Sequence, residues 1–305
     1  MKPIHLLLLS LLFLNCSGQQ SKNTIVEKAE TPHTFQMVNI PSMIADHDER
    51  AEYLAKRYWD NFDFTDTAYI HLPQVTEQAF VDYIDVLSLV PRHVSSEVIK
   101  NMLGKAEATP PMFIYFLDLY EKYLYDPNSP MRNDELYIPV LESMLESALV
   151  KEKIRPAHLL ELAKKNRVGE KATNFTYTLA NGQTGTLYAI RSDYTLLFFY
   201  NPGCHTCKEI MEQLTSSLKA GYMIQEKKLT VLALYPDEDL QEWKNHLKQV
   251  PESWINAYDN GAKLQNEEIY DIKAIPTLYL LDKDKKVVLK DITFEQLEYY
   301  LRTNI

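Results

Sequence analysis

Residues Leu196 to Met211, LLFFYNPGCHTCKEIM, constrain the fold more than any other stretch of the 305-residue chain. Leu196 to Tyr200 are apolar or aromatic without a break, the pattern of a strand buried on both faces at the centre of a sheet. Pro202-Gly203 stops that run, and Ile210, Met211 and Leu214 then recur at helical spacing, so a helix begins at or just before Cys204. Such a unit places Cys204 where free backbone N–H groups and the positive end of the helix dipole favour a thiolate. Cys207 lies one helical turn on, close enough to resolve a mixed disulfide formed at Cys204. Cys204 and Cys207 are therefore the expected catalytic residues, cycling between dithiol and disulfide, with no separate cofactor and no metal.

Other roles for the pair fit less well. A structural disulfide normally joins residues far apart, and a loop this short constrains the unfolded chain least. Zinc needs two more ligands, and His205 and His246 are poor candidates.

The strand, turn, Cys204-His-Thr-Cys207-Lys and helix resemble the thioredoxin superfamily. So does Tyr270-Asp-Ile-Lys-Ala-Ile-Pro276-Thr-Leu-Tyr-Leu-Leu-Asp282, which is similar to that family's segment carrying a cis-proline before a hairpin. The long gap from Cys207 to Pro276, and Val168-Gly-Glu-Lys-Ala-Thr-Asn-Phe175 ahead of the fold, are similar to the tethered extracytoplasmic branch typified by TlpA and ResA. The resemblance covers residues 168–305. It implies a thiol–disulfide oxidoreductase acting on protein thiols and disulfides, in the reducing direction, with a membrane electron donor or acceptor as its redox partner. It also implies that Pro276 is cis opposite the cysteines, where Ile275 can offer backbone hydrogen bonds to an extended substrate.

His205 and Thr206, between the cysteines, are expected to tune the potential. A charged or hydrogen-bonding His205 near the sulfur would stabilise the thiolate, whereas a neutral, outward-facing ring would do little, and both arrangements stay open. The chain departs from the family at Phe198, where an aspartate is common, and at Ile210, where some relatives carry a glutamate, with Glu209 one position off. Asn201-Pro-Gly replaces the usual tryptophan before the motif, and the proton acceptor for Cys207 is unassigned.

Residues 1–15 combine a short basic leader with an apolar core from Leu6 to Leu14, too short to span a bilayer and suited to a signal peptide. Cys16 directly after it resembles a bacterial lipoprotein cleavage site, so Cys16 is the expected lipidation site and anchors the chain to a membrane. Lipidation accounts for the third cysteine of an exported chain, in which a stray thiol is a liability. Residues 16–34 have no apolar period and read as a flexible tether. The expected location is the cell envelope, on the periplasmic side.

Two domains follow. Residues 35–167 read as an all-α helical bundle: Asp46 or Asp48 caps a first helix, Thr76 and then Ser95 or Ser96 precede others, Pro110-Pro111 opens a fourth, and two more run over 134–149 and 156–165. The aromatic run from Phe113 to Tyr125 is core at helical spacing. Residues 168–305 read as an α/β thioredoxin-like domain, a central mixed sheet with helices on both faces. An initial hairpin turns at Asn181-Gly182, and the central strand and its helix follow. Leu229 to Tyr235 with a helix around Leu240 to Leu247 resembles the insertion of the TlpA-like branch. A strand at Trp254 to Tyr258, a helix from Ala262 to Tyr270, a closing hairpin and a last helix complete the domain.

The net charge of −10, with acidic residues in excess on both sides of Arg167, lacks the basic footprint that nucleic acid requires. An alternative function is a client-binding, chaperone-like adaptor whose helical domain holds a partner while redox activity is secondary.

Overall fold

A strand of six residues, hydrogen-bonded on both edges, carries the architecture. The computed structural model describes residues 33–305, of which Thr34–Ile305 form one compact unit. The expected leader, Cys16 and the tether up to residue 32 lie outside the described residues. The helical region contains α1 (His47–Arg57), α2 (Pro73–Leu87), α3 (Arg92–Glu107), α4 (Pro110–Tyr120), α5 (Asp134–Glu146) and α6 (Ile154–Ala163). Next come β1 (Thr176–Leu179), β2 (Thr184–Thr186), β3 (Tyr194–Phe199), α7 (His205–Ser216), α8 (Leu218–Gln225), β4 (Leu229–Tyr235) and α9 (Leu240–Asn245). The chain ends with β5 (Ile255–Tyr258), α10 (Lys263–Asn266), β6 (Thr277–Asp282), β7 (Val287–Lys290) and α11 (Phe294–Asn304).

The seven strands form one mixed sheet in the order β2-β1-β5-β4-β3-β6-β7. β3 and β4 are parallel, as are β4 and β5, and the other pairs are antiparallel. The period of two sends Leu196, Phe198 and Tyr200 into one apolar layer and Leu197 and Phe199 into the other. The first layer is closed by α7, α8, α9 and α11 through Leu214, Met223, Trp243 and Leu297. The second is covered by Leu264 of α10 and by irregular segments carrying Ala172, Ile190 and Tyr270.

The helical region has its own core, in which Trp59, Phe62, Phe80, Tyr83, Phe116 and Tyr120 pack edge-on or tilted against one another. Asp46 caps α1 by accepting from the N–H groups of Asp48 and Glu49, and Pro110 sits in the first turn of α4.

Several elements differ from expectation. α3 starts at Arg92 directly after Pro91, so Ser95 and Ser96 lie inside the helix near its start, and Ser95 bonds back to the Arg92 carbonyl. β4, expected as part of an insertion, is a central strand of the sheet: it lies between β3 and β5 and is buried almost throughout. The helix expected over Ala262 to Tyr270 is a single turn, because Ala262 and Glu268 both take the left-handed conformation and bound it. α8 has no counterpart among the expected elements, and Ser217 caps it by accepting from the Ala220 N–H.

Helices and sheet meet along a polar seam. Asp134, in the first turn of α5, pairs with Lys273 and, at 2.9 Å, with Lys290 of β7; Lys273 also lies 3.3 Å from Asp271. All four side chains are almost fully buried. Lys290 further donates to the carbonyls of Ala163 and Lys165, and the Asn166 amide donates to that of Ile269. Burial opposes the charge on Asp134, but Lys273 and Lys290 outweigh it and hold its carboxyl below the usual carboxylate range. Burial pushes the carboxyl of Asp271 up.

Asp134→Asn leaves both lysines without their shared carboxylate and should cost about 3–5 kcal/mol in urea unfolding at pH 7. A carboxyl held low in the folded state stabilises above its unfolded value, about 4, and that contribution is lost as pH falls through the folded value. The gap between wild type and variant should therefore be full at neutral pH and narrow in acid; Asp271 titrates with the opposite sign, and its upward push, to which Asp134 contributes, is smaller in the variant. A gap independent of pH would mean that the charge of Asp134 does not carry it.

Candidate active site

The site is built where β3 ends. Asn201 accepts from the Cys204 N–H at 3.2 Å through its carbonyl, Pro202 is buried, and Gly203 has φ 78°, a left-handed turn that favours glycine. The Asn201 side chain donates to Asp237 at 2.6 Å, two residues past the end of β4, which ties together the exits of two adjacent parallel strands.

Cys204 is the N-cap of α7, with φ −70° and ψ 117°, and its Sγ accepts from the Cys207 N–H at 3.2 Å. The two cysteines are joined in a disulfide, their Cα atoms 5.3 Å apart. Their environments differ sharply: Cys204 is half-buried at the surface, whereas Cys207 is 1% exposed within the apolar layer of Phe198, Tyr200 and Ile210. The Ile275–Pro276 peptide is cis, and the Ile275 carbonyl oxygen stands 3.9 Å from Cys204 Sγ. Cys204, Cys207, Ile275 and Pro276 are thus together.

The residues expected to tune the potential face outward. The His205 side chain is 85% exposed, with Nδ1 3.4 Å from Glu209 Oε1. Thr206 is exposed too. Phe198 and Ile210 are packed in the core, so neither position supplies a proton acceptor. Tyr200 is one of the polar groups in that layer; its hydroxyl donates to Asn256 Oδ1 at 2.8 Å and accepts from Trp243 Nε1 at 2.9 Å. Burial pushes this phenol up to about 12, so it stays neutral across the physiological range.

Two concavities flank the cysteine helix. One, of about 580 Å³, opens on Cys204 between Gly203, Lys208 and Met211 on one side and Gln249 and Pro251 on the other. A second, of about 330 Å³, lies between Thr206 and Glu209 of α7, the Ile275–Pro276 segment, and Pro127, Asn128 and Arg132 from the helical region. Nothing in the sequence points to either outer wall. Asp237 had one usable signal, because ligands favour the crevice at the carboxyl ends of parallel strands.

A family described as thioredoxin-like matches residues 192–287, and one described as a domain of unknown function (DUF5106) matches residues 15–166. The thiol-disulfide oxidoreductase ResA of a Bacillus cereus strain is 34% identical over 141 residues, 45% of this chain and 79% of that protein. ResA of Bacillus anthracis is 33% identical over 141 residues, with the same shares of the two chains. The crystal structure of a thioredoxin-like protein from Bacteroides caccae ATCC 43185 superposes with a TM-score of 0.83 at 50% identity, covering 90% of this chain and 100% of that one.

Burial predicts unequal access. After reduction, iodoacetamide at neutral pH should modify Cys204 and spare Cys207 until the protein is unfolded, as read by mass spectrometry of the peptides. Equal labelling of both in the folded protein would contradict the geometry.

Proposed function

Because the chain belongs to the thioredoxin-like thiol–disulfide oxidoreductases, we propose that Cys204 and Cys207 are its redox couple and that it reduces disulfides in partner proteins. The observation that carries this reading is the asymmetry of the pair, with a surface sulfur at a helix N-terminus and a buried one behind it. In the reduced protein the Cys204 thiolate attacks one sulfur of a client disulfide, forming a mixed disulfide and expelling the other sulfur as a thiolate. Cys207, as thiolate, then attacks Cys204 Sγ, which restores the intramolecular disulfide and releases the second client sulfur. Two electrons pass to the client, and two protons end on its thiols.

The positive end of the α7 dipole favours the charged form of Cys204 by about 1 kcal/mol. The Cys207 N–H, 3.2 Å from Cys204 Sγ, adds a hydrogen bond to the charged form. Ile275 and Pro276 are read as the edge that receives the client backbone, and His205 and Thr206 as the rim. Reset requires a dithiol donor, for which a membrane-bound electron donor fits a tethered protein.

The reading puts the protein in the cell envelope on the periplasmic side, held by lipid on Cys16 with residues 16–34 as the tether. The short apolar core before Cys16, and the presence of only 3 cysteines, two of them in the couple, support it. Full-length protein should fractionate with membranes and Cys16→Ala should not; a membrane-bound Cys16→Ala would remove the anchor from the reading.

The deciding measurement is the reduction potential of the couple in dithiothreitol or glutathione buffers with thiol trapping. A value near about −270 mV fits a reductant, one near about −120 mV would make the protein a disulfide donor, and no reversible couple would end the oxidoreductase reading. Cys207→Ser should accumulate the mixed disulfide with a client, and Cys204→Ser should form none.

A further inference from the structure

The helical region reaches the cysteine site through one short segment. Between the turn that prolongs α4 and the start of α5, residues 126–133 fold on themselves: Asp126 accepts from the Asn128 N–H at 2.8 Å, Ser129 donates to the Tyr123 carbonyl at 2.6 Å, and the Asn133 N–H donates to the Leu124 carbonyl at 2.9 Å. Arg132 Nε is 3.1 Å from Asp291 Oδ1, both side chains being 12% exposed, so this segment is fastened to the loop that leads into α11. Asp134, two residues on, is paired with Lys273, three residues before Pro276. The segment thus stands in a fixed relation to the cis-proline loop, and Pro127 and Asn128 face Thr206 and Pro276 across the 330 Å³ concavity.

That groove has a size and a charge. It is too small for a folded element and suits one extended segment, and among the described residues no backbone hydrogen bond engages the Ile275 N–H. The guanidinium of Arg132 is matched by Asp291. Glu209 and Glu295, both exposed, also line it, with the exposed His205 beside Glu209. The surplus is negative.

We propose that residues 127–132 form the second wall of the client groove, and that the groove selects a disulfide in an extended segment carrying a basic side chain next to its cysteine. This rests on the reading that Cys204 attacks the client. The helical region is then a specificity device as well as a neighbour of the sheet. Rim carboxylates act at partly screened range, so their effect is on capture and weakens with salt.

The test uses the full chain, reduced by dithiothreitol and assayed with three oxidants: a disulfide peptide flanked by lysines, the same peptide flanked by glutamates, and hydroxyethyl disulfide. Wild type should prefer the lysine peptide in kcat/KM by about two- to fivefold at low salt, with the preference fading as salt rises. Glu295→Lys, on the exposed first turn of α11, should abolish or invert it. Asn128→Trp, which fills the groove from the far wall, should lower the ratio of lysine-peptide to hydroxyethyl disulfide kcat/KM by about tenfold or more. Equal use of the two peptides by wild type, or a ratio within about twofold of wild type in Asn128→Trp, overturns the proposal. Failure to reduce hydroxyethyl disulfide in a Cys204-dependent way would instead overturn the oxidoreductase reading beneath it.

Discussion

Everything at the cysteine site depends on the register of β3. Leu196 to Phe199 are fully buried, so a slip of one residue would exchange the two sets of side chains between layers already filled. The same ladder pairs Phe199 with Leu234 on one side and with Thr277 on the other. Because Thr277 is level with Phe199, Pro276 must arrive beside the end of β3, where the chain turns toward Cys204. One set of strand pairings thereby joins two halves of a site that lie 71 residues apart in sequence.

What was legible in the sequence was local. The unbroken apolar run of β3, the breaker at Pro202-Gly203 and the spacing of Ile210, Met211 and Leu214 marked a strand, a turn and a helix with Cys204 at its cap. The cis geometry at Pro276 came from family resemblance, since no local pattern distinguishes it from an ordinary Ile-Pro. α8 escaped because it is only eight residues long and carries Gly221, a poor helix former, in its middle. Asp134 and Lys273, 139 residues apart, read in sequence as ordinary surface charges, and only the tertiary fold buries them. The wall at Pro127 and Asn128 is invisible for the same reason.

The seam between helices and sheet shows how few interactions can set an orientation. Burying four charged side chains consumes much of the attraction between them, so such a cluster adds less net stability than its short contacts suggest. Removing one member is a different matter, because the partners left behind remain buried and charged. The carbonyls of Ala163, Lys165 and Ile269 take up further donors from Lys290 and Asn166, so these groups of the seam find their partners in one docking arrangement. The segment that carries Asn128 inherits its position from that arrangement.

The burial of Cys207 has a consequence for traffic. Among the described residues Cys204 supplies the one cysteine sulfur at the surface, so electrons that enter the couple and electrons that leave it cross at the same atom. In the proposed cycle, donor and client therefore take turns, and each excludes the other while it is bound. On that proposal, two proteins with unrelated tasks would present similar surfaces to the start of α7 and the Ile275–Pro276 edge, and raising the concentration of either would slow the half of the cycle that belongs to the other.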